Sequence, residues 1–266
     1  MTSAGTAPWV LLSLLNLRLS PHVPWAGPLT AIWIGLYWRY LSGHGPPRAS
    51  AVLRRERLQI CPLAAPIWGW AVLATASGFA ALFTISLAVG RVVPILPRGD
   101  VSDLDRYPLP LVLTGLVMTA VVAAVTEEAG FRGYMQSALD RRLGPAASTA
   151  LVAAIFSLIH LSHGFAPARL VINAIASVIL SLTVRRTGSI KPGIVVHAAS
   201  DLLVPLYLWS RRGTAVPPQV QSHGLDAPFA IQCAVAVALV AVAAGAYGRL
   251  AIAVRSRPLV GATALC

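Results

Sequence analysis

The chain has 266 residues, 56% of them hydrophobic and only 11% charged, with a formal net charge of +12. This composition excludes an ordinary soluble globular domain, and several apolar runs reach the roughly 20 residues needed to cross a bilayer. The cations stand in short clusters between those runs, as topology signals and headgroup contacts do. The lipid bilayer is therefore the expected partner, and nucleic acid is not. The alternating short segments of a transmembrane β-barrel are missing. The sequence predicts an all-α, polytopic transmembrane helical bundle.

In chain order, seven spans are predicted, at 23–40, 68–90, 108–129, 147–164, 169–184, 192–209 and 228–248. They form one membrane domain in three parts: N-terminal spans with a basic loop (1–107), a helical core (108–210), and a C-terminal span and tail (211–266). The short run at 9–15 lacks a basic flank and is cut off by Asn16 and Arg18, so it does not read as a signal peptide. Residues 46–58 (PPRASAVLRRERL) read as a topogenic loop, too short and too poor in large apolar residues for a surface helix. The last span is rich in small residues, which suits close helix packing. The cysteines have no CxxC spacing, so neither a disulfide framework nor a zinc ribbon is indicated.

Basic segments follow the first span (Arg48, Arg54, Arg55, Arg57), the third (Arg141, Arg142), the fifth (Arg185, Arg186, Lys191) and the seventh (Arg249, Arg255, Arg257). By the positive-inside rule this places the N-terminus outside and the C-terminus in the cytoplasm. Arg211 and Arg212 are the exception.

Ionisable groups at membrane depth are costly and persist mainly in relays, ion paths or catalytic sites. Three sets stand out here. Glu127 and Glu128 close the third span, with Arg132 four residues after Glu128. On a helix Glu128 and Arg132 share a face and can pair, while Glu127 points about 100° away and is left for chemistry. Phe156 and His160 lie late in the fourth span, and His197 and Asp201 share a face in the sixth. Asp201 can accept from His197 and fix its tautomer.

Helix rise brings the first two sets together. In an antiparallel hairpin, Glu127 and His160 each lie about 20 Å from the connecting turn and meet at one depth. His197 lies only about 9 Å above Lys191, so for it to join them either the Arg185–Lys191 connection must dip inward or the sixth helix must be displaced. One Glu and two His brought together can activate water directly, as general base with an orienting imidazole. Glu127, His160 and His197 can equally hold a metal such as zinc with a position open for water. There is no HExxH and no GxSxG, so a gluzincin site is excluded and a serine route is unsupported.

At these residues the chain resembles the CAAX protease and bacteriocin-processing family of intramembrane endopeptidases, which includes the Abi-type immunity proteins. The family pattern of EExxxR, FxxxH and HxxxN or HxxxD is met in order by EEAGFR, FSLIH and HAASD. The resemblance implies hydrolysis of a peptide bond in a peptide or membrane-protein substrate near the membrane surface. It implies that Glu127 and His160 activate water, that His197 and Asp201 stabilise the oxyanion, and that Glu128 and Arg132 support the site. It leaves both a zinc-dependent and a metal-free glutamate mechanism open. Asp201 stands where many members carry Asn.

Two other readings use the same residues. A proton- or ion-coupled transporter also needs intramembrane Glu, His and Asp, although neither an inverted repeat nor paired broken helices is evident. A non-catalytic immunity or scaffold member of the same family is the third. The sequence specifies no oligomeric state. The expected location is an integral position in a bacterial plasma membrane.

Overall fold

The computed structural model describes residues 2–93, 101–163, 166–212, 214 and 219–256. In lipid a backbone must satisfy its own polar groups, which favours helices, and the described residues form helices with no named strand. Their order is α1 Thr2–Leu19, α2 Ala26–Leu41, α3 Ala51–Leu58, α4 Ala65–Val89, α5 Leu109–Glu127, a π-helical segment Glu128–Gln136, α6 Ser137–Ile159, α7 Pro167–Thr187, α8 Lys191–Ser210, α9 Val220–His223 and α10 Ala227–Arg255. Helices α4, α5, α7, α8 and α10 each start with proline in the first two positions, where no intrahelical N–H bond is lost.

Five helical stretches are long and apolar enough to cross a membrane: Ala65–Val89, Leu109–Ile159, Pro167–Thr187, Lys191–Ser210 and Ala227–Arg255. The second contains both the third and fourth expected spans. It bends at Gly144, whose φ of 74° favours glycine, and Pro145 follows. Arg185 of α7 fastens this bend by donating to Asp140, to Ser148 and to the carbonyl of Pro145. The first expected span is α2, with 16 residues.

Three features differ from expectation. Thr2–Leu19 forms a helix that packs on α2 and α5. The indole of Trp33 donates to the Gly5 carbonyl (3.1 Å) and that of Trp9 to Thr119 (3.1 Å), so amphipathic rings anchor a helix whose own polarity masked it. The basic loop at 46–58 contains α3, with Arg54 and Leu58 buried. The linker after α3 bridges to the α7–α8 turn, Ile60 with Ser189, a contact that the sequence does not signal.

Helix α4 packs along α10, α5 along α8, and α6 along α7. Hydroxyls tie α4, α7 and α10 together: Thr75 to Thr183 at 2.7 Å and Thr183 to Tyr247 at 2.8 Å. A buried apolar cluster lies where α2, α3, α5 and the α7–α8 connection meet, built on Tyr37, Leu41, Leu58, Val122 and Ile190. At the opposite end, Arg91 pairs with Asp226 and Arg212 with Asp105.

Candidate active site

The two glutamates sit where α5 passes into the π-helical segment. Such segments recur at functional sites, because the wider turn re-aims side chains without breaking the helix. Glu128 and Arg132 are both fully buried, and Arg132 Nη1 donates to Glu128 Oε1 at 2.9 Å. Arg132 also lies over the Phe156 ring, 4.5 Å from its centroid. A buried cation in apolar surroundings needs such partners.

His197 reaches this pair from α8. Its Nδ1 lies 3.0 Å from Glu128 Oε1 and donates to it, since a carboxylate only accepts. The other ring nitrogen, Nε2, faces Asp201 Oδ2 at 3.4 Å and Glu127 Oε2 at 3.9 Å. Both glutamates thus address one imidazole, from opposite sides. Glu127 keeps Oε2 free of hydrogen bonds while lying beside the same imidazole, Asp201 lies within reach of His197, and Glu128 is a partner of that ring that the spacing alone did not indicate. Glu128 holds Nδ1, and Asp201 shares the Nε2 side with Glu127. In the imidazolium form both ring N–H groups have carboxylate acceptors.

Phe156 gathers the histidines. Its ring centroid is 4.8 Å from that of His160 and 6.3 Å from that of His197. His160 Nδ1 lies 2.7 Å from the Phe156 carbonyl, which can only accept, so Nδ1 carries the proton and Nε2 is the basic nitrogen. The structure therefore groups Glu127, Glu128, Arg132, His197 and Asp201 directly, and brings His160 beside them through Phe156. Glu128 and Arg132 form the closed floor. Asp201, 38% exposed, and Glu127, 18% exposed, face the open side.

The α7–α8 connection that leads into the helix of His197 is buried in the fold. Ser189 and Ile190 are fully buried. Ile190 N–H donates to the Gln59 carbonyl at 2.8 Å, and Ser189 pairs with Ile60 in an isolated bridge, so the α3–α4 linker covers the turn. Sequence reasoning missed Gly193. A Cβ there would lie 3.2 Å from Glu128 Oε2 and 3.3 Å from Leu180, so glycine lets α8 approach Glu128 without displacing either side chain. Its sole signal was a Pro-Gly step at the start of a span.

Glu127, His160 and His197, the expected metal ligands, do not form a ready set. Among the described residues no three His, Cys, Asp or Glu side chains are grouped to hold a metal ion. His197 also directs Nδ1 at Glu128 and shares Nε2 between two carboxylates.

A helical membrane bundle with a carboxylate–imidazole cluster set between its spans is the class of protein defined so far. Residues 109–203 match the family described as Rce1-like, type II CAAX prenyl endopeptidase. This stretch is therefore similar to a domain of a family described as endopeptidases. It begins at the first residue of α5 and ends within α8, so all six site residues fall inside it. No curated protein and no solved structure matches the chain.

Proposed function

We propose that the protein is an intramembrane endopeptidase that hydrolyses a peptide bond near the membrane surface with water activated by Glu127. The observation that carries this reading is the pairing of Glu127 with His197. The Glu127 Oε2 atom is buried, has no hydrogen-bond partner, and stands 3.9 Å from His197 Nε2. Buried carboxylate oxygens are normally satisfied, and one left over beside a donor-capable imidazole suits a base awaiting a proton.

In this scheme Glu127 takes a proton as water oxygen bonds to the scissile carbonyl carbon. His160 Nε2 helps to orient that water. The resulting oxyanion accepts from His197 Nε2–H, which Glu128 holds in place through Nδ1. Glu127 then passes its proton to the leaving nitrogen as the C–N bond breaks, releasing a carboxylate and an amine. Arg132 pairs with Glu128 and holds it in place. Asp201 lies on the Nε2 side of His197 and acts through that ring. A zinc-dependent form of this reading would require Glu127, His160 and His197 to draw together around the ion, and metal content of the purified wild type against a His160→Ala/His197→Ala variant tests it. The basic end of the bundle, with the C-terminus, is assigned to the cytoplasmic side of a bacterial plasma membrane.

The test is new peptide termini. Proteoliposomes holding the full chain are mixed with membrane-inserted peptides, and the products are sequenced by mass spectrometry. Termini generated by wild type and lost in both Glu127→Ala and His160→Ala support the proposal. Cleavage retained in either variant defeats it. Uptake driven by a pH gradient, with no cleavage, would turn the assignment to a transporter.

A further inference from the structure

The outer side of α3 is used by nothing described so far. Val52 is 57% and Leu53 52% exposed, beside exposed Arg48 and Arg55. Exposed Arg39 precedes them on α2, and exposed Arg141 and Arg142 lie at the neighbouring bend. Glu56 is the only carboxylate of α3. Arginines and large apolar side chains exposed together beside membrane spans suit a headgroup layer, where guanidinium groups donate to phosphate oxygens.

The inner side of α3 grips both halves of the candidate site. The Tyr134 hydroxyl, in the π-helical segment, donates between the carbonyls of Leu41 (3.1 Å) and Arg54 (3.3 Å). Arg57 Nη1 donates to the Ser137 carbonyl at 3.3 Å. Gly133, next to Arg132, faces the Leu58 carbonyl so closely that a Cβ would lie 3.2 Å from it. On the other side, Gln59 and Ile60 hold Ser189 and Ile190, three residues before the glycine that abuts Glu128. One short basic helix and the linker that follows it therefore touch the segment that bears Glu128 and the turn that places His197.

We propose that α3 docks on an anionic lipid surface and that this docking holds the Glu128 and His197 elements in register. The occupant is the phosphate-bearing headgroup layer of the bilayer. The proposal stands on contacts, and its test involves no cleavage, so it fails or holds separately from the peptidase reading.

The full chain is placed in nanodiscs of phosphatidylcholine alone or mixed with phosphatidylglycerol, and amide hydrogen exchange is followed at residues 52–58 and 189–194. Anionic discs are expected to slow exchange at both stretches together. In the R48Q/R55Q variant the difference shrinks by about fivefold for each arginine neutralised. In 1 M salt, where the screening length is about 3 Å, wild type is expected to lose the difference as well. Equal exchange in the two disc types overturns the proposal. So does slowing confined to 52–58, or a difference that survives high salt. Soluble glycerophosphoglycerol that reproduces the slowing in phosphatidylcholine discs also overturns it, because that result defines a free-anion site and no surface.

Discussion

His197 and Glu128 meet at 3.0 Å between two helices, and the same Glu128 oxygen accepts from Arg132 at 2.9 Å. One carboxylate oxygen thus organises the imidazole and the guanidinium together. Removing it in Glu128→Ala leaves Arg132 buried with no counter-charge. Breaking such a pair costs on the order of 3–5 kcal/mol. A clear fall in Tm of the detergent-solubilised protein is expected, along with lost activity. An unchanged Tm would contradict the buried pair.

Glu127 should behave in the opposite way. Its Oε2 makes no hydrogen bond, so Glu127→Gln removes a buried charge and its 3.9 Å contact with His197 without breaking a hydrogen bond there. Activity is expected to fall by about 10² to 10⁴, the scale of a lost general base. Tm should stay level or rise. A variant that loses stability in step with activity would mark Glu127 as structural.

Gly193→Ala probes the approach of α8. The added methyl lies 3.2 Å from Glu128 Oε2 and must push either the carboxylate or the helix aside. A shift of a few tenths of an ångström at Glu128 carries to His197. We expect kcat/KM to drop on the order of 10- to 100-fold, with the protein still inserted and folded. Wild-type kinetics would mean that α8 yields at no cost to the site.

Asp201 is the most exposed member of the cluster and stands 3.4 Å from His197 Nε2. An amide in its place keeps an acceptor for the ring and removes a negative charge beside the developing oxyanion. Asp201→Asn is expected to retain or gain rate, and Asp201→Ala to lose about tenfold. Loss in both, to the same degree, would show that the charge itself is required.

At the far end of the bundle, Arg91 donates to both oxygens of Asp226 at 2.7 Å. That hydrogen bond, aided by the Phe229 N–H, holds the Asp226 carboxyl down at about 2. An unfolded aspartate titrates near about 3.9. With the folded value depressed, the stabilising contribution is complete above about pH 5 and fades as pH falls through 2. Asp226→Asn should therefore be less stable than wild type at pH 7, and the two should converge in acid. Tm curves that run parallel across that range would exclude the linkage.

The bundle itself was readable in the sequence, because long apolar runs have few alternatives to helices in lipid. Glu128 and Arg132 were also readable as a pair, since four-residue spacing is a local property of a helix. What stayed hidden depended on contacts between distant segments. The turn before His197 is buried because Gln59 and Ile60 cover it, some 130 residues earlier in the chain. Nothing near Ser189 announces that. The helix α1 was missed because Asn16 breaks its apolar run. In the fold Asn16 is buried, donating to the carbonyls of Ser20 and Val23 while accepting from Ala26 N–H. Polarity that read as an end is the fastening of a turn.

The π-helical segment also sets a rule for chain length. Along a regular helix, each residue added or removed turns everything beyond it by about 100°. Glu128 and Tyr134 lie at either side of this widened stretch, one held by His197 and the other by the carbonyls of Leu41 and Arg54. Their relative phase depends on the extra residue that the wide turn absorbs. Trimming a single residue from Glu128–Gln136 would restore ordinary helix and leave every side chain chemically intact. Yet the two anchors would then look in incompatible directions, and the chain would have to release one of them.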